Sequence, residues 1–133
     1  MGMYTELVFG CGLKSDTPNN VITSLKYMLG DIKEKPIDFP FPQGRCEWLF
    51  QGCSYYFGVN SPVNKMWYDE ISKNWRISTR SNIKNYEGEI EIFLDWIKPY
   101  IEQGTGAREM YAMVCYEETE EPTLYYLLTK DNL

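Results

Sequence analysis

The sequence predicts an α+β protein in which a mostly antiparallel sheet carries two helices on one face. Segments with alternating apolar residues recur along the chain, as in strands that bury one face. Two other segments place apolar residues three and four positions apart, as in amphipathic helices. The predicted strands are 4–13, 45–51, 53–59, 64–71, 74–84, 108–117 and 122–129, and the predicted helices are 18–29 and 87–102.

The first helix has recognisable signals at both ends. Asp16 or Thr17 is placed to cap it, and Pro18 occupies its first position. Gly30 is placed to end it, because glycine readily adopts the left-handed conformation of a helix C-cap. Its apolar stripe consists of Val21, Ile22, Leu25, Met28 and Leu29.

The two halves of the chain resemble each other in their order of elements. The first strand and helix correspond to strand 74–84 and the second helix. This correspondence predicts a duplicated β-α-β-β unit, with pseudo-repeats at about 4–60 and 74–129 and with strand 64–71 as an insertion. The length of 133 residues is typical of one domain, so we expect residues 1–133 to form a single α+β domain.

Composition favours a cytoplasmic protein that does not enter a membrane. No apolar run approaches the roughly 20 residues that cross a bilayer, and the start lacks the basic segment of a secretory signal. The four cysteines include no C-x-x-C pair, and we interpret them as reduced thiols. The net charge of −6 disfavours general binding to nucleic acids.

The common catalytic constellations are missing from the sequence. The absence of histidine excludes Ser-His-Asp and Cys-His arrangements. Gly10-Cys11-Gly12 lacks the further glycine of a dinucleotide fingerprint, and it indicates a bulge or the close approach of another group. We therefore expect no catalytic residue, no metal and no cofactor. An enzyme built on Asp, Glu, Tyr or Lys stays open as an alternative.

The sheet face away from the helices is the predicted contact surface. Alternation turns Arg76, Arg80 and Lys84 outward on this face, and Tyr4 and Tyr56 add aromatic rings beside them. Arginine and lysine bind phosphate, and aromatic rings stack on bases, so these residues predict a site for an anionic ligand such as a nucleotide. The competing interpretation is that neighbouring carboxylates pair with these cations on an ordinary solvated face.

The aromatic content favours association with another protein. Eleven tyrosines and four tryptophans exceed what the core needs, so we expect several to be exposed. Such residues are enriched at the centres of protein interfaces. The leading hypothesis is a non-enzymatic binding protein, a homodimer that acts on a protein partner. The alternative is a sponge that binds an anionic nucleotide on the open sheet face.

Four short stretches resemble small proteins encoded by phages and prophages of Gram-positive bacteria. The stretches are Tyr4-Thr5-Glu6, Asp16-Thr17-Pro18 before Leu25-Lys26-Tyr27-Met28, Asn82-Ile83-Lys84-Asn85-Tyr86, and Glu120-Glu121-Pro122-Thr123. The resemblance implies a phage accessory or anti-defence protein that binds a host protein or sequesters its nucleotide signal. It implies no activity and no site residues.

Overall fold

A computed structural model confirms the predicted α+β class. It describes residues 4–41, 46–51, 64–103, 108–116 and 121–128. Within these ranges, five strands form one antiparallel sheet in the order β2-β3-β1-β4-β5. The elements are β1 (Thr5–Gly12), α1 (Asn19–Leu29), β2 (Lys65–Asp69), β3 (Asn74–Ile83), α2 (Glu89–Ile97), β4 (Arg108–Tyr116) and β5 (Thr123–Leu128).

The connections form two interlocked split β-α-β units. Strands β1 and β2 are parallel to each other with β3 between them, and β3 and β4 are parallel with β1 between them. This is the ferredoxin-like arrangement, to which β5 adds a fifth strand beside β4. The general preference for right-handed crossovers places both helices on the same face of the sheet, and residues of both helices lie in one hydrophobic core. Neither described helix is long and apolar enough to cross a membrane.

The core lies between the helices and the sheet and is rich in phenylalanine. Phe93 of α2 packs edge-on against Phe9 of β1 and against Phe50, with ring centres 5.2 and 5.1 Å apart. The segment after α1 contributes Phe39 and Phe41, which are both buried. This connector therefore packs into the core and is not a free linker between domains.

The region between α1 and β2 departs from the predicted strands. The prediction of a strand at 45–51 is wrong, because Cys46–Trp48 form a 3₁₀ turn and a further turn follows. The predicted strand 53–59 lies outside the described residues. Strand 64–71 was predicted as an insertion, but its observed counterpart β2 completes the unit that begins with β1 and α1.

The start of α1 lies one residue later than predicted and has no side-chain cap. The helix begins at Asn19, with Pro18 in the N-cap position. The Thr17 hydroxyl, predicted as a cap in alternative to Asp16, instead donates a 2.6 Å hydrogen bond to the carbonyl of Lys14. The N–H groups of the first turn consequently have no side-chain partner.

Gly30 ends α1 as predicted, and replacing it with alanine should destabilise the protein. Its φ of 86° lies in the left-handed region. The N–H groups of Gly30 and Asp31 cap the carbonyls of Tyr27 and Lys26 at 3.1 and 2.9 Å.

We expect Gly30→Ala to lower the free energy of unfolding by about 1 kcal/mol, measured by urea denaturation. Gly10→Ala is the control, because its Cβ would meet only ordinary contacts from 3.5 Å. Equal stability of the two variants would contradict this account.

Candidate functional site

The candidate contact surface is the sheet face away from the helices, which we call the helix-free face. Residues paired across antiparallel strands point to the same face, so Arg80 and Val8 lie together there, as do Trp67 and Arg76. Its side chains are Lys65, Trp67 and Asp69 on β2, Asn74, Arg76, Ser78, Arg80 and Asn82 on β3, Glu6 and Val8 on β1, Met110, Met113 and Cys115 on β4, and Leu124 and Tyr126 on β5.

The structure places the three predicted cations in one row along this face. Arg76 and Arg80 lie on β3, and Lys84 follows the last residue of that strand. A strand rises about 3.4 Å per residue, so neighbouring members of the row are separated by about 14 Å along it. A single phosphate group therefore cannot contact all three cations. Tyr56, another predicted site residue, lies outside the described residues.

Arg76 is held by the hairpin that joins β2 to β3. Its Nε lies 3.1 Å from Oδ2 of Asp69, and one terminal nitrogen donates to the Ser72 hydroxyl at 3.0 Å. The backbone N–H groups of Ile71 and Ser72, with a smaller contribution from Arg76, hold the pKa of Asp69 below its usual value. Asp69 is thus a carboxylate at neutral pH, and it offsets the charge of Arg76.

Lys84 and Tyr4 contact each other at the far end of the row. The Lys84 ammonium lies 5.6 Å from the centre of the Tyr4 ring, within the range of a cation–π interaction. An anion bound by Lys84 would share this ammonium with the ring of Tyr4. Lys84 and Tyr4 therefore lie close enough to act together, whereas Arg76 lies at the opposite end of β3.

Glu6 occupies a buried position at the centre of the helix-free face. Glu6 has no exposed surface, and the register places it between Asn82 of β3 and Cys115 of β4. Burial and the charge of Glu6 raise the pKa of the Cys115 thiol, so Cys115 stays protonated at neutral pH. The parts of the face that a partner can reach lie to either side of Glu6.

On the β4–β5 side, the face carries a group of neighbouring uncharged side chains. We call Met110, Met113, Leu124 and Tyr126 the apolar strip, since the register brings them together on β4 and β5. Met110 is 52% exposed and Leu124 is 44% exposed. The described side chains of the two sides therefore differ in chemistry, with Arg76 and Asp69 toward β2 and the uncharged apolar strip toward β5.

Sequence reasoning did not single out the apolar strip because β4 contains an irregularity. Strict alternation from Ala112, which is buried on the helix side, would turn Met110 toward the helices as well. A bulge at Tyr111 shifts the register by one residue and turns Met110 outward beside Tyr126. No local glycine or proline marks this bulge in the sequence.

The fold and the surface define an α+β protein of ferredoxin-like topology with an added edge strand and a chemically divided sheet face. Within the described ranges, no group of three or more Cys, Asp or Glu residues is placed to hold a metal ion. No family model, no curated protein and no solved structure matches the chain. The resemblance to phage-encoded proteins therefore stays a prediction, and so does the nucleotide site at Arg76, Arg80 and Lys84.

Proposed function

We propose that this protein acts by binding other proteins and that it forms a homodimer through the outer edge of β5. The observation that carries the proposal is an edge strand without any charged residue, beside the exposed apolar strip. The resemblance to phage accessory proteins makes a host protein the expected target of the dimer. The expected mode of action is binding, without turnover of a substrate.

The two edges of the sheet differ in how well they are suited to pairing. Strand β2 is short and carries Lys65 and Asp69, and charged residues are a common means of blocking an exposed edge. Strand β5 has six residues, all of them uncharged. Its outer side pairs with no other described strand. An uncharged edge with unpaired backbone groups is a template for a further strand.

Pairing of β5 with its own copy satisfies the geometry of a two-fold dimer. Antiparallel strands related by a two-fold axis normal to the sheet present the same residues to each other, which makes the interface self-complementary. The two sheets then join into one, and the apolar strips of the two copies become neighbours. The joined strips would form a larger apolar surface for the target protein, and apolar surfaces of this kind mark interaction sites.

Leu124→Lys tests this proposal, with Ile71→Lys as the matched control. Both positions are exposed aliphatic residues, but Ile71 lies in the turn after β2, at the opposite side of the sheet. We expect the wild type and Ile71→Lys to have twice the monomer mass in light scattering at micromolar concentration. Leu124→Lys should raise the dimer dissociation constant at least about tenfold, because a lysine on the edge strand must be desolvated on pairing.

A wild-type protein that remains monomeric at about 100 μM would contradict the homodimer, since stable dimers of standard interface size form well below this concentration. Equal dissociation constants for Leu124→Lys and Ile71→Lys would place any dimer interface away from β5. Circular dichroism of both variants separates a lost interface from a lost fold.

A further inference from the structure

A groove between α2 and β5 lies on the helix side of the sheet, on the face opposite the apolar strip. Strand β5 is the strand added at the edge of the four-stranded ferredoxin-like arrangement. Its helix-side residues are Thr123, Tyr125 and Leu127. Thr123 is exposed and the other two are half-buried, whereas Leu7 and Phe9 on the same side of β1 are buried. The helix side of β5 is therefore only partly covered and forms an open floor beside α2.

The floor of the groove is aromatic. The ring of Tyr125 lies against the ring of Tyr111 on β4, with ring centres 6.0 Å apart and ring planes 57° apart. Tyr111 is buried and Tyr125 is half-buried, so a ligand in the groove reaches the ring of Tyr125. The face of a tyrosine ring attracts cations, which makes this floor suitable for a lysine or arginine side chain.

The wall of the groove is acidic. Glu91 and Asp95 are both exposed, and a spacing of four residues places them on one side of α2. Burial is the largest cause of the raised pKa of Tyr125, and the charges of Glu91 and Asp95 raise this pKa further. Both carboxylates therefore act on the ring that forms the floor.

A cavity of about 270 Å³ widens the groove beside Glu91. Tyr116 and Thr123 form part of its sheet side, and Glu121 adds a second carboxylate to its lining. The described lining residues include no lysine or arginine. One oxygen of Glu91 accepts a hydrogen bond from Nδ2 of Asn85 at 2.9 Å, which holds this carboxylate in place. The cavity thus has room for the end of a long side chain and carries negative charge.

The acidic wall has no cationic partner within the part of the chain that the structure describes. Neither Glu91 nor Asp95 lies within 4.0 Å of a lysine or arginine nitrogen there. At the other end of the groove, a second cavity of about 420 Å³ includes Asp95 together with Lys98 and Lys14, so the acidic wall ends there. The charge of the groove is therefore complementary to a basic partner, and the net charge of −6 attracts such a partner from a distance.

We propose that this groove binds an extended segment of a partner protein that carries arginine at two alternate positions. Alternate side chains of an extended chain point to the same side and are about 6.8 Å apart. Glu91 and Asp95 are about 6 Å apart along the axis of α2, so each can pair with one arginine. Arginine suits the groove because its planar group pairs with carboxylates and stacks on aromatic rings such as Tyr125. The groove extends between two cavities, and this shape favours a peptide segment over a small amine.

The proposal rests on the proposed binding of other proteins but not on the homodimer, because every residue of the groove belongs to one chain. Leu124 lies on the helix-free face, whereas its neighbours Thr123 and Tyr125 face the groove. Leu124→Lys should therefore bind the segment as tightly as the wild type, also as a monomer. A failure of the dimer and a failure of the groove are distinguishable in this variant.

Nuclear magnetic resonance titration of ¹⁵N-labelled protein tests the groove with three probes. The first is a blocked glycine–serine peptide with two arginines separated by one serine, the second has glutamate in place of both arginines, and the third is spermidine. We expect saturable shifts of the backbone amides of Glu91, Tyr116 and Tyr125 with the arginine peptide. The arginine peptide should bind at least about tenfold more tightly than the glutamate peptide, and its binding should weaken as salt screens the exposed carboxylates.

Variants connect the titration to the named residues. E91Q/D95N should weaken binding of the arginine peptide at least about fivefold, because it removes both ion pairs. The matched control E34Q/D38N removes two exposed carboxylates with the same spacing from the segment after α1 and should leave the binding unchanged. Y125L removes the aromatic floor and should weaken binding about threefold. Circular dichroism of each variant shows that its fold is retained.

Each of three results would overturn the proposal. The first is the absence of saturable shifts in the groove with the arginine peptide. The second is binding of the glutamate peptide or of spermidine that is as tight as that of the arginine peptide. The third is an equal effect of E91Q/D95N and E34Q/D38N, which would assign any binding to the net charge of the protein and not to the groove.

Discussion

Phe93→Ala is expected to lower the free energy of unfolding by about 3–5 kcal/mol, the usual cost of removing a fully buried phenylalanine ring. Phe93 has no exposed surface, and Phe9 of β1 and Phe50 both pack edge-on against its ring. Trp96 lies against it from the same helix, with ring centres 6.0 Å apart. The loss therefore combines the transfer of the ring to water with a cavity at the contact between α2 and the sheet.

Urea denaturation followed by circular dichroism measures this loss. A domain of this size has a total stability of roughly 5–15 kcal/mol, so Phe93→Ala brings the protein close to unfolding. Trp48→Ala is the control, because that ring is 53% exposed, and it should cost less than about 1 kcal/mol. If Phe93→Ala does not fold, Phe93→Leu keeps most of the volume and should show an intermediate loss. Equal losses at Phe93 and Trp48 would contradict this packing.

The helices and strands such as β3 could be predicted from local patterns, because one buried face determines each of them. The apolar stripe of α1 is buried as expected except for Leu29, which is half-buried, and the inward positions Ile77 and Ile83 of β3 are buried. The pairing order of the strands could not be obtained this way, since alternation is the same for every neighbour. The ferredoxin-like order therefore became visible only with the pairing of β1 between β3 and β4.

The segment at 45–51 fits the spacing of apolar residues in a strand and also that in a helical turn. Cys46, Trp48 and Phe50 alternate as in a strand. The buried residues are instead Cys46, Leu49 and Phe50, which are spaced three and four apart as in one helical turn. Trp48 points outward and is 53% exposed. A short run with a large aromatic residue at the third position satisfies both patterns, and tertiary packing decides between them.

The burial of Asn74 illustrates what sequence cannot supply. Asn74 was assigned to the outward polar set by alternation, and the register agrees. Its burial depends on Gly12 and Glu102, neither of which is a neighbour in sequence. Among the signals in the sequence, only the glycine indicated the close approach.

High pH should destabilise the protein through its buried thiols. Cys11 lies on the helix side of β1, opposite Ile77, and burial raises the pKa of its thiol from 9.0 to about 12. Burial and, to a smaller extent, the charge of Glu89 raise the pKa of Cys46 to about 11. In the unfolded chain both thiols ionise near their ordinary pKa, whereas in the folded protein they stay protonated. The resulting stabilisation is complete below the unfolded pKa and is lost as pH rises toward the folded pKa.

Each proton that the folded state keeps and the unfolded state has lost lowers the free energy of unfolding by about 1.4 kcal/mol per pH unit. Between about pH 9 and pH 11, Cys11 alone should account for a fall of about 2 kcal/mol in the free energy of unfolding. Tyr111 and Tyr125 have pKa values that burial also raises, so they act in the same direction. A difference between variants is therefore needed to isolate the thiol.

Urea denaturation of Cys11→Ala and Ile77→Val across this pH range isolates the contribution of the Cys11 thiol. Both variants lose some packing at the same contact between β1 and β3, but only Cys11→Ala removes a titrating group. The free energy of unfolding of Ile77→Val should differ from that of the wild type by the same amount at every pH. Cys11→Ala should be less stable at neutral pH and should approach the wild type as pH rises, because it has no buried thiol to lose. Parallel curves for all three proteins would show that Cys11 ionises equally in the folded and unfolded states, and its position against the core, opposite Ile77, would then need revision.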